Sequence, residues 1–340
     1  MTGGQGDDDK RSFAPTGASV ENPGKLLQKP RGAHMHGDTM PGTRTATRRC
    51  PALVAAALLG AGISAAVQAS AAFDDGRLWR ISRAGTPDSY VLGTIHVADE
   101  RVARIPPRVV DALARTRTLA MEIVPGQVFA DELDGLETLS DGARLEPLIG
   151  SAAYARLRVE LMVQGLRDDT IERLKPWAAM LRVTRADRQS AARSLDENLF
   201  VAARARRMHV WSLEAAEEQA ASFDTVPVDS QVALLTHVLA RRDAPLAETE
   251  PAIAAWLQGD LRALARLPAK AADRYPAMRV HYTRLVKHII HDRTTLLHHR
   301  LFMPLRSGRV FVAVGASHLP GDDGLLAMLR RDGYRVTRVW

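Results

Sequence analysis

The feature that most constrains this chain is a strand pattern that occurs twice, once near each end. Tyr90-Val-Leu-Gly-Thr-Ile-His96 and Phe311-Val-Ala-Val-Gly-Ala-Ser-His318 both run from apolar, β-prone residues into a glycine, two small or branched residues and a histidine. Each is followed by a helical pattern and a further strand. A glycine at a strand end lets the backbone turn sharply, so the residue three places on is presented at the C-terminal edge of the sheet, where α/β proteins place their sites. Two strands of this kind can bring His96 and His318 together although they stand far apart in the chain.

The elements around the two patterns make matching units. The first opens with a hairpin: Leu78 to Ser82, a Gly85-Thr-Pro-Asp88 turn, then Tyr90 to Ile95. Pro106-Pro107 starts a helix running to about Thr116, and the strand Thr118 to Val124, carrying Glu122, stops at Pro125-Gly126. The second unit has strand 309–314, the turn Gly315 to His318, a helix over 322–331, Gly333 as its C-cap and strand 334–340. Between them the spacing predicts amphipathic helices over 127–138, 151–164, 175–188, 196–207, 228–241, 247–257 and 279–301. One strand, Met208 to Leu213, interrupts them and leads into Glu214. The expected fold is therefore α/β: two β-GxxH-α-β units forming a central mixed sheet, with a large helical insertion, in one domain spanning 72–340.

Before that domain the chain changes character. Residues 1–39 are rich in Gly, Pro, Asp and Lys, and MTGGQ followed by DDDK reads as an expression tag or an upstream leader outside the fold. Residues 40–71 have the order of a secretory signal: Arg44, Arg48 and Arg49, an uncharged run, then Ala69-Ser70-Ala71 as a cleavage site. This predicts export to the periplasm or the medium, with no stable membrane span after cleavage. An uncleaved anchor is the rival, since the uncharged stretch is long enough to span a bilayer but is weakly hydrophobic.

Bulk properties remove several classes. The single cysteine, Cys50, lies in the signal segment, so the mature domain has no cysteine nucleophile, thiolate zinc site or disulfide scaffold. The net charge of +7 is partly N-terminal, where residues 1–71 carry eight Lys/Arg against five Asp/Glu. The nearly balanced remainder, with basic residues spread along helices, argues against nucleic acid as a partner. No Walker or dinucleotide glycine loop, GxSxG elbow or HExxH pattern is present.

What remains is a histidine and carboxylate chemistry. Neutral imidazole is a common ligand of zinc, manganese or cobalt, usually with a carboxylate companion. Glu122 stands in an otherwise apolar strand, where a charge needs a partner: a metal, a histidine or an arginine. Glu214 ends the other internal strand in the same way. A His96/His318/Glu122 set with an open position would suit activation of water for hydrolysis. Arg293 could meet Glu122 or an anionic substrate, and Arg293 or Glu214 could orient groups or move a proton. A further group comprises His281, His288, His291, His298 and His299, of which the first four share a broad helical face, read as a metal or haem site or as a solvated or cleft-lining basic face.

Taken together these residues resemble the TraB/GumN family, which includes the TIKI-type metalloproteases and the pheromone-shutdown proteins. The resemblance runs from about Leu78 to Trp340. Beyond the two GxxH strands it includes Lys175-Pro176-Trp177, Leu195-Asp196, Leu213-Glu214 with Glu218-Gln219, and Ala255-Trp256 with Gly259-Asp260. It implies a divalent-metal-dependent hydrolase, most readily a peptidase acting on a peptide or protein, with Mn, Co or Zn as the ion. Carried over, the family's functional positions fall on Gly93, His96, Gly315, His318 and Glu122. The usual arginine-asparagine pair stands here as Arg293-Thr294, and Ala215 replaces the threonine that commonly follows the leucine-glutamate pair. Because one family member sits in a xanthan-gum gene cluster, the alternative is a non-catalytic periplasmic binding or polysaccharide-associated protein.

Overall fold

The computed structural model describes residues 73–125, 135–184, 193–241 and 244–340. The segments 1–39 and 40–71, most of the expected helix 127–138 and the end of 175–188 lie outside the described residues. Six strands make one sheet: β1 (Leu78–Arg83), β2 (Thr86–Thr94), β3 (Thr118–Met121), β4 (His209–Ser212), β5 (Val310–Gly315) and β6 (Arg335–Arg338), in the order β4-β3-β5-β2-β1-β6. β4, β3, β5 and β2 pair in parallel, while β1 runs antiparallel to both β2 and β6. The sheet is mixed, as the alternation of elements implied.

Its centre is decided by the two GxxH strands. Phe311, Val312 and Val314 of β5 and Val91 and Leu92 of β2 are fully buried. Such continuous apolar runs belong to parallel strands covered on both faces. β5 enters between β2 and β3, so the last unit of the chain splits the first. β2 reaches β3 through helix α1 (Pro107–Ala114), whose Val109, Ala112 and Leu113 are buried. After β5, helix α11 (Leu325–Arg331) carries the chain past β2 and β1 to the far edge, with Gly333 in the left-handed region at φ 89°.

Between α1 and α11 lie α2 (Ser151–Val163), α3 (Pro176–Thr184), α4 (Leu195–Ala205), α5 (Ala216–Asp224), α6 (Val228–Leu239), α7 (Ala244–Gln258), α8 (Leu261–Arg274), α9 (Arg279–Val286) and α10 (Arg293–Ser307). α2, α3, α5 and α6 build a second apolar core, in which the Trp177 and Phe223 rings stack with centroids 4.8 Å apart. Asp224 accepts from Trp177 Nε1 at 2.7 Å and from Lys175 Nζ at 2.7 Å, which accounts for Lys175-Pro176-Trp177 as a structural motif. Among the described residues no helix is long and apolar enough to cross a membrane.

Four sequence expectations need correction. α5 is Glu- and Ala-rich and offers no clear apolar stripe, so its spacing gave no helix. α8 escaped for another reason, because Pro268 stands inside it and reads as a breaker. The expected helix 279–301 is interrupted by a π-helical turn, Lys287–Asp292, immediately before Arg293. β3 stops at Met121, so Glu122 lies just past the strand end. The ladder still continues through Leu213 N–H to Met121 O at 2.7 Å and Glu214 N–H to Glu122 O at 2.9 Å.

Gly93 holds this centre close. A Cβ there would stand 2.8 Å from Leu319 Cδ1 and 3.1 Å from Ala316 Cα, and its carbonyl accepts from Trp256 Nε1 at 2.9 Å. Gly93→Ala overpacks that contact, and urea unfolding should show a loss of about 1–3 kcal/mol. An unchanged midpoint would contradict this packing role.

Candidate functional site

The register of the central pair sets the site. Thr94 lies opposite Gly315, so the turns leading to His96 and His318 leave the sheet from neighbouring positions. Between them stands Glu122 at the end of β3. His96 Nε2 is 4.0 Å from Glu122 Oε2, and His318 Nε2 is 3.7 Å from Glu122 Oε1. Gly315 N–H donates to Glu122 Oε1. A Cβ at Gly315 would lie 3.2 Å from Glu122 Oε1, 3.4 Å from His96 Nε2 and 3.5 Å from His318 Cδ2. The three groups therefore converge on the space that glycine leaves.

Each imidazole is fixed from behind. His96 Nδ1 meets Asp196 Oδ2 at 3.0 Å, and Thr94 Oγ1 donates to Asp196 Oδ1 at 2.8 Å. Asp196 sits in the first turn of α4, which Ser194 and Glu197 close with a capping box. A carboxylate only accepts, so His96 Nδ1 carries the proton. His318 Nδ1 meets Thr294 Oγ1 at 2.8 Å, and that hydroxyl donates to Ile290 O at 2.6 Å. With its proton committed to Ile290, Thr294 must accept from His318 Nδ1–H. When neutral, both rings thus direct an Nε2 lone pair toward a carboxylate.

The second anchor is Arg293. Its Nε donates to Glu214 Oε1 at 2.9 Å, and one terminal nitrogen donates to Glu214 Oε2 at 2.5 Å and to Glu122 Oε2 at 3.0 Å. Arg293, Glu122 and Glu214 are 6%, 7% and 1% exposed, so the bridge lies out of water. Burial opposes the Arg293 charge, but the two carboxylates outweigh it and move its pKa above the ordinary arginine value. At Glu214 burial prevails over the same bonds and moves the carboxyl upward. The bidentate geometry is that of a guanidinium holding a carboxylate, and the pair is ionic. Both Glu214 oxygens are engaged by Arg293, so Glu214 anchors that residue within the interior.

The remaining shifts follow from position. Burial alone would raise the Glu122 pKa, but His318, His96, Arg293 and the Gly315 N–H hold it at about 2. Burial lowers His318 to about 4 against the pull of Glu122. The Asp196 charge raises His96 to about 9. That ring is 59% exposed, so solvent screens part of the attraction.

The structure brings His96, His318, Glu122, Arg293 and Glu214 together. Gly315 lies at the centre, whereas Gly93 faces Ala316, Leu319 and Trp256 in the core. The second histidine group does not assemble: His281 meets Ser230 at 3.0 Å, His288 meets Asp292 at 2.9 Å, His298 meets Asp332 at 2.7 Å, and His291 and His299 are exposed. Asp196 and Thr294 are supports that residue patterns alone did not single out. Their signals were the Leu195-Asp196 pair and the Thr294 that stands where the resemblance expects asparagine.

Among the described residues, no group of three or more His, Cys, Asp and Glu side chains stands ready-formed around a metal position. The donor chemistry at Glu122 nevertheless suits a cation. Once His96 gives up its proton, its Nε2 and that of His318 offer two lone pairs beside the Glu122 carboxylate, a set that a positive ion balances. Two donors bound to one ion at about 2.1 Å each can be no more than about 4.2 Å apart. The separations of 3.7 and 4.0 Å meet that condition.

The TraB/PrgY/gumN family model matches residues 77–338, and the chain belongs to that family. Curated relatives include Metalloprotease TIKI1 of Danio rerio, 26% identical over 313 residues that cover 76% of this chain and 62% of the relative. Metalloprotease TIKI homolog of Amphimedon queenslandica is 23% identical, covering 77% and 61%, and Metalloprotease TIKI2 of Danio rerio is 26% identical, covering 76% and 60%. The chain spans about three fifths of the length of these relatives. No solved structure matches it.

The two histidines predict opposite pH limbs for the metal-free protein. With a folded pKa of about 9, above its unfolded value, His96 contributes stability that is full below about pH 6.5 and is lost as pH rises through 9. With a folded pKa of about 4, His318 contributes stability present above about pH 6.5 and lost as pH falls toward 4. Stability measured by denaturation from pH 4 to 10 should be greatest near neutrality, and Asp196→Asn should flatten the alkaline limb alone. A flattened acid limb in that variant would contradict the assignment.

Proposed function

We propose that this chain is an exported divalent-metal-dependent hydrolase acting on a peptide or protein. The observation that carries the reading is the convergence of two imidazole Nε2 atoms on one buried carboxylate, at 4.0 and 3.7 Å from its oxygens. The metalloprotease names of the relatives support it, and the signal-like order of residues 40–71 supports export.

His96, His318 and Glu122 would hold the ion, of the Mn, Co or Zn type. Such an ion supplies Lewis acidity and lowers the pKa of a bound water toward neutral pH. The chain's own residues do the rest. Asp196 and Thr294 keep the Nε2 atoms facing inward, and imidazoles held through Nδ1–H have their tautomer fixed. Gly315 N–H and Arg293 keep Glu122 ionised, able to hold a cation or accept a proton. Glu214 orients Arg293. The missing side chain of Gly315 leaves room for a substrate atom over the carboxylate, and His96 is the member of the set open to solvent.

A binding protein with the same groups locked in a structural cluster would fold alike but turn nothing over. Chelator-stripped protein refilled with Mn, Co or Zn separates the two. Stoichiometric binding should raise the melting temperature, adding about 2.7 kcal/mol of stability at a hundredfold excess over Kd. Peptide hydrolysis should return with it and fall by at least about 100-fold in His96→Ala and His318→Ala. Absence of stoichiometric binding, or binding indifferent to both substitutions, would sink the proposal. Stabilisation by a glycan or haem alone would favour the binding protein.

A further inference from the structure

We propose that the cleft on the side of His318 facing α8 is a specificity pocket for one large apolar side chain of the substrate, beside the bond that is cut. This rests on the hydrolase reading for its role, while the binding it asserts can be measured separately. The cleft has a volume of about 220 Å³. Leu264, Ala265 and Pro268 of α8 line it together with Val286 of α9 and Ile290 of the π-helical turn. Thr294 and His318 line it as well, so its occupant would touch the same hydrogen-bonded pair that orients the His318 ring.

Size selects the class of ligand. A cavity of about 150 Å³ accommodates benzene, whereas sites for drug-sized molecules begin at about 300 Å³. The cleft therefore suits a leucine- to phenylalanine-sized group and is too small for a haem. Its rim is the segment Pro320-Gly-Asp-Asp-Gly324 after the second GxxH histidine, which the metal chemistry leaves without a role. Gly324 N–H donates to Gly321 O at 3.2 Å, and a Cβ on Gly324 would lie 2.2 Å from Pro320 O. The rim is thus a tightly folded turn, formed before anything binds. Asp322 and Asp323 are exposed on it, opposite an exposed His291. The two carboxylates disfavour an anionic side chain at the mouth.

The test is equilibrium binding of capped tripeptides, acetyl-Gly-X-Gly-amide with X as Leu, Phe, Ala or Asp, to the metal-stripped full chain. Leu and Phe peptides should bind at least about tenfold more tightly than Ala and Asp peptides. Ala265→Trp, placed on the exposed lip of the cleft, should reduce Leu and Phe binding to the Ala level. Val286→Ala enlarges the cleft and should shift preference toward Phe, and melting curves confirm that each variant is folded. Affinities independent of X, or a Leu preference that survives Ala265→Trp in folded protein, would overturn the pocket. Side-chain-dependent binding with no cleavage after metal refilling would keep the pocket and sink the hydrolase reading. Cleavage indifferent to X would do the reverse.

Discussion

The arrangement depends first on one cation placed between two buried carboxylates. The edge pairing that joins Glu214 N–H to Glu122 O brings the two acidic residues to the same end of the sheet, and both side chains are out of water. Left alone they would repel each other and carry the full cost of desolvation. Arg293 resolves both problems with bonds of 2.5, 2.9 and 3.0 Å. Removing one member of such a pair costs about 3–5 kcal/mol, because the charge left behind has no solvent. The position of α10 follows from this contact. Once Arg293 is pinned, the next residue, Thr294, stands under His318, and the preceding π-helical turn offers it Ile290 O. A π-turn widens the helix by one residue and is often found where a functional side chain must be re-aimed.

Around that anchor the two histidines do different work despite matching sequence contexts. His318 is buried, neutral and held by a hydroxyl. His96 is largely exposed and held by a carboxylate that favours its charged form. A cation taken up between them has to displace the His96 proton, so uptake is coupled to pH. The exposed histidine is the solvent-facing member of the set, and the buried one also lines the cleft beside α8. In the proposed enzyme, chemistry and side-chain selection would then meet at a single ring.

Much of this was legible in the sequence because strand signals are local. The GxxH repeat identified the two strands whose C-terminal ends carry the candidate site. The mixed sheet followed from the alternation of elements, although the insertion of β5 between β2 and β3 is a long-range fact that no local pattern encodes. Glu122 stood out as a charge within an apolar strand and Glu214 as one at a strand end, since burial demands a partner. That the shared partner is Arg293 depends on where α10 crosses the sheet, and hence on tertiary packing. The π-turn was hidden because Ile289 and Ile290 fit an ordinary helical stripe as well. Asp196 and Thr294 are ordinary helix-start residues until the imidazoles are placed beside them. The histidines of α9 and α10 illustrate the opposite case, a conspicuous pattern whose members pair separately with Ser230, Asp292 and Asp332.

Family membership bounds what the fold is used for, and the low identity to the named metalloproteases leaves the chemistry to be decided at the residues themselves. The central claim is that the two GxxH strands and Glu122 form one cation site. Anomalous diffraction from crystals soaked in manganese or cobalt tests it most directly. The account predicts a single strong peak within bonding distance of His96 Nε2, His318 Nε2 and a Glu122 oxygen. Its contradiction would be full soaking with no peak there, or a peak confined to the His288 and Asp292 face while Arg293 keeps its hold on Glu122.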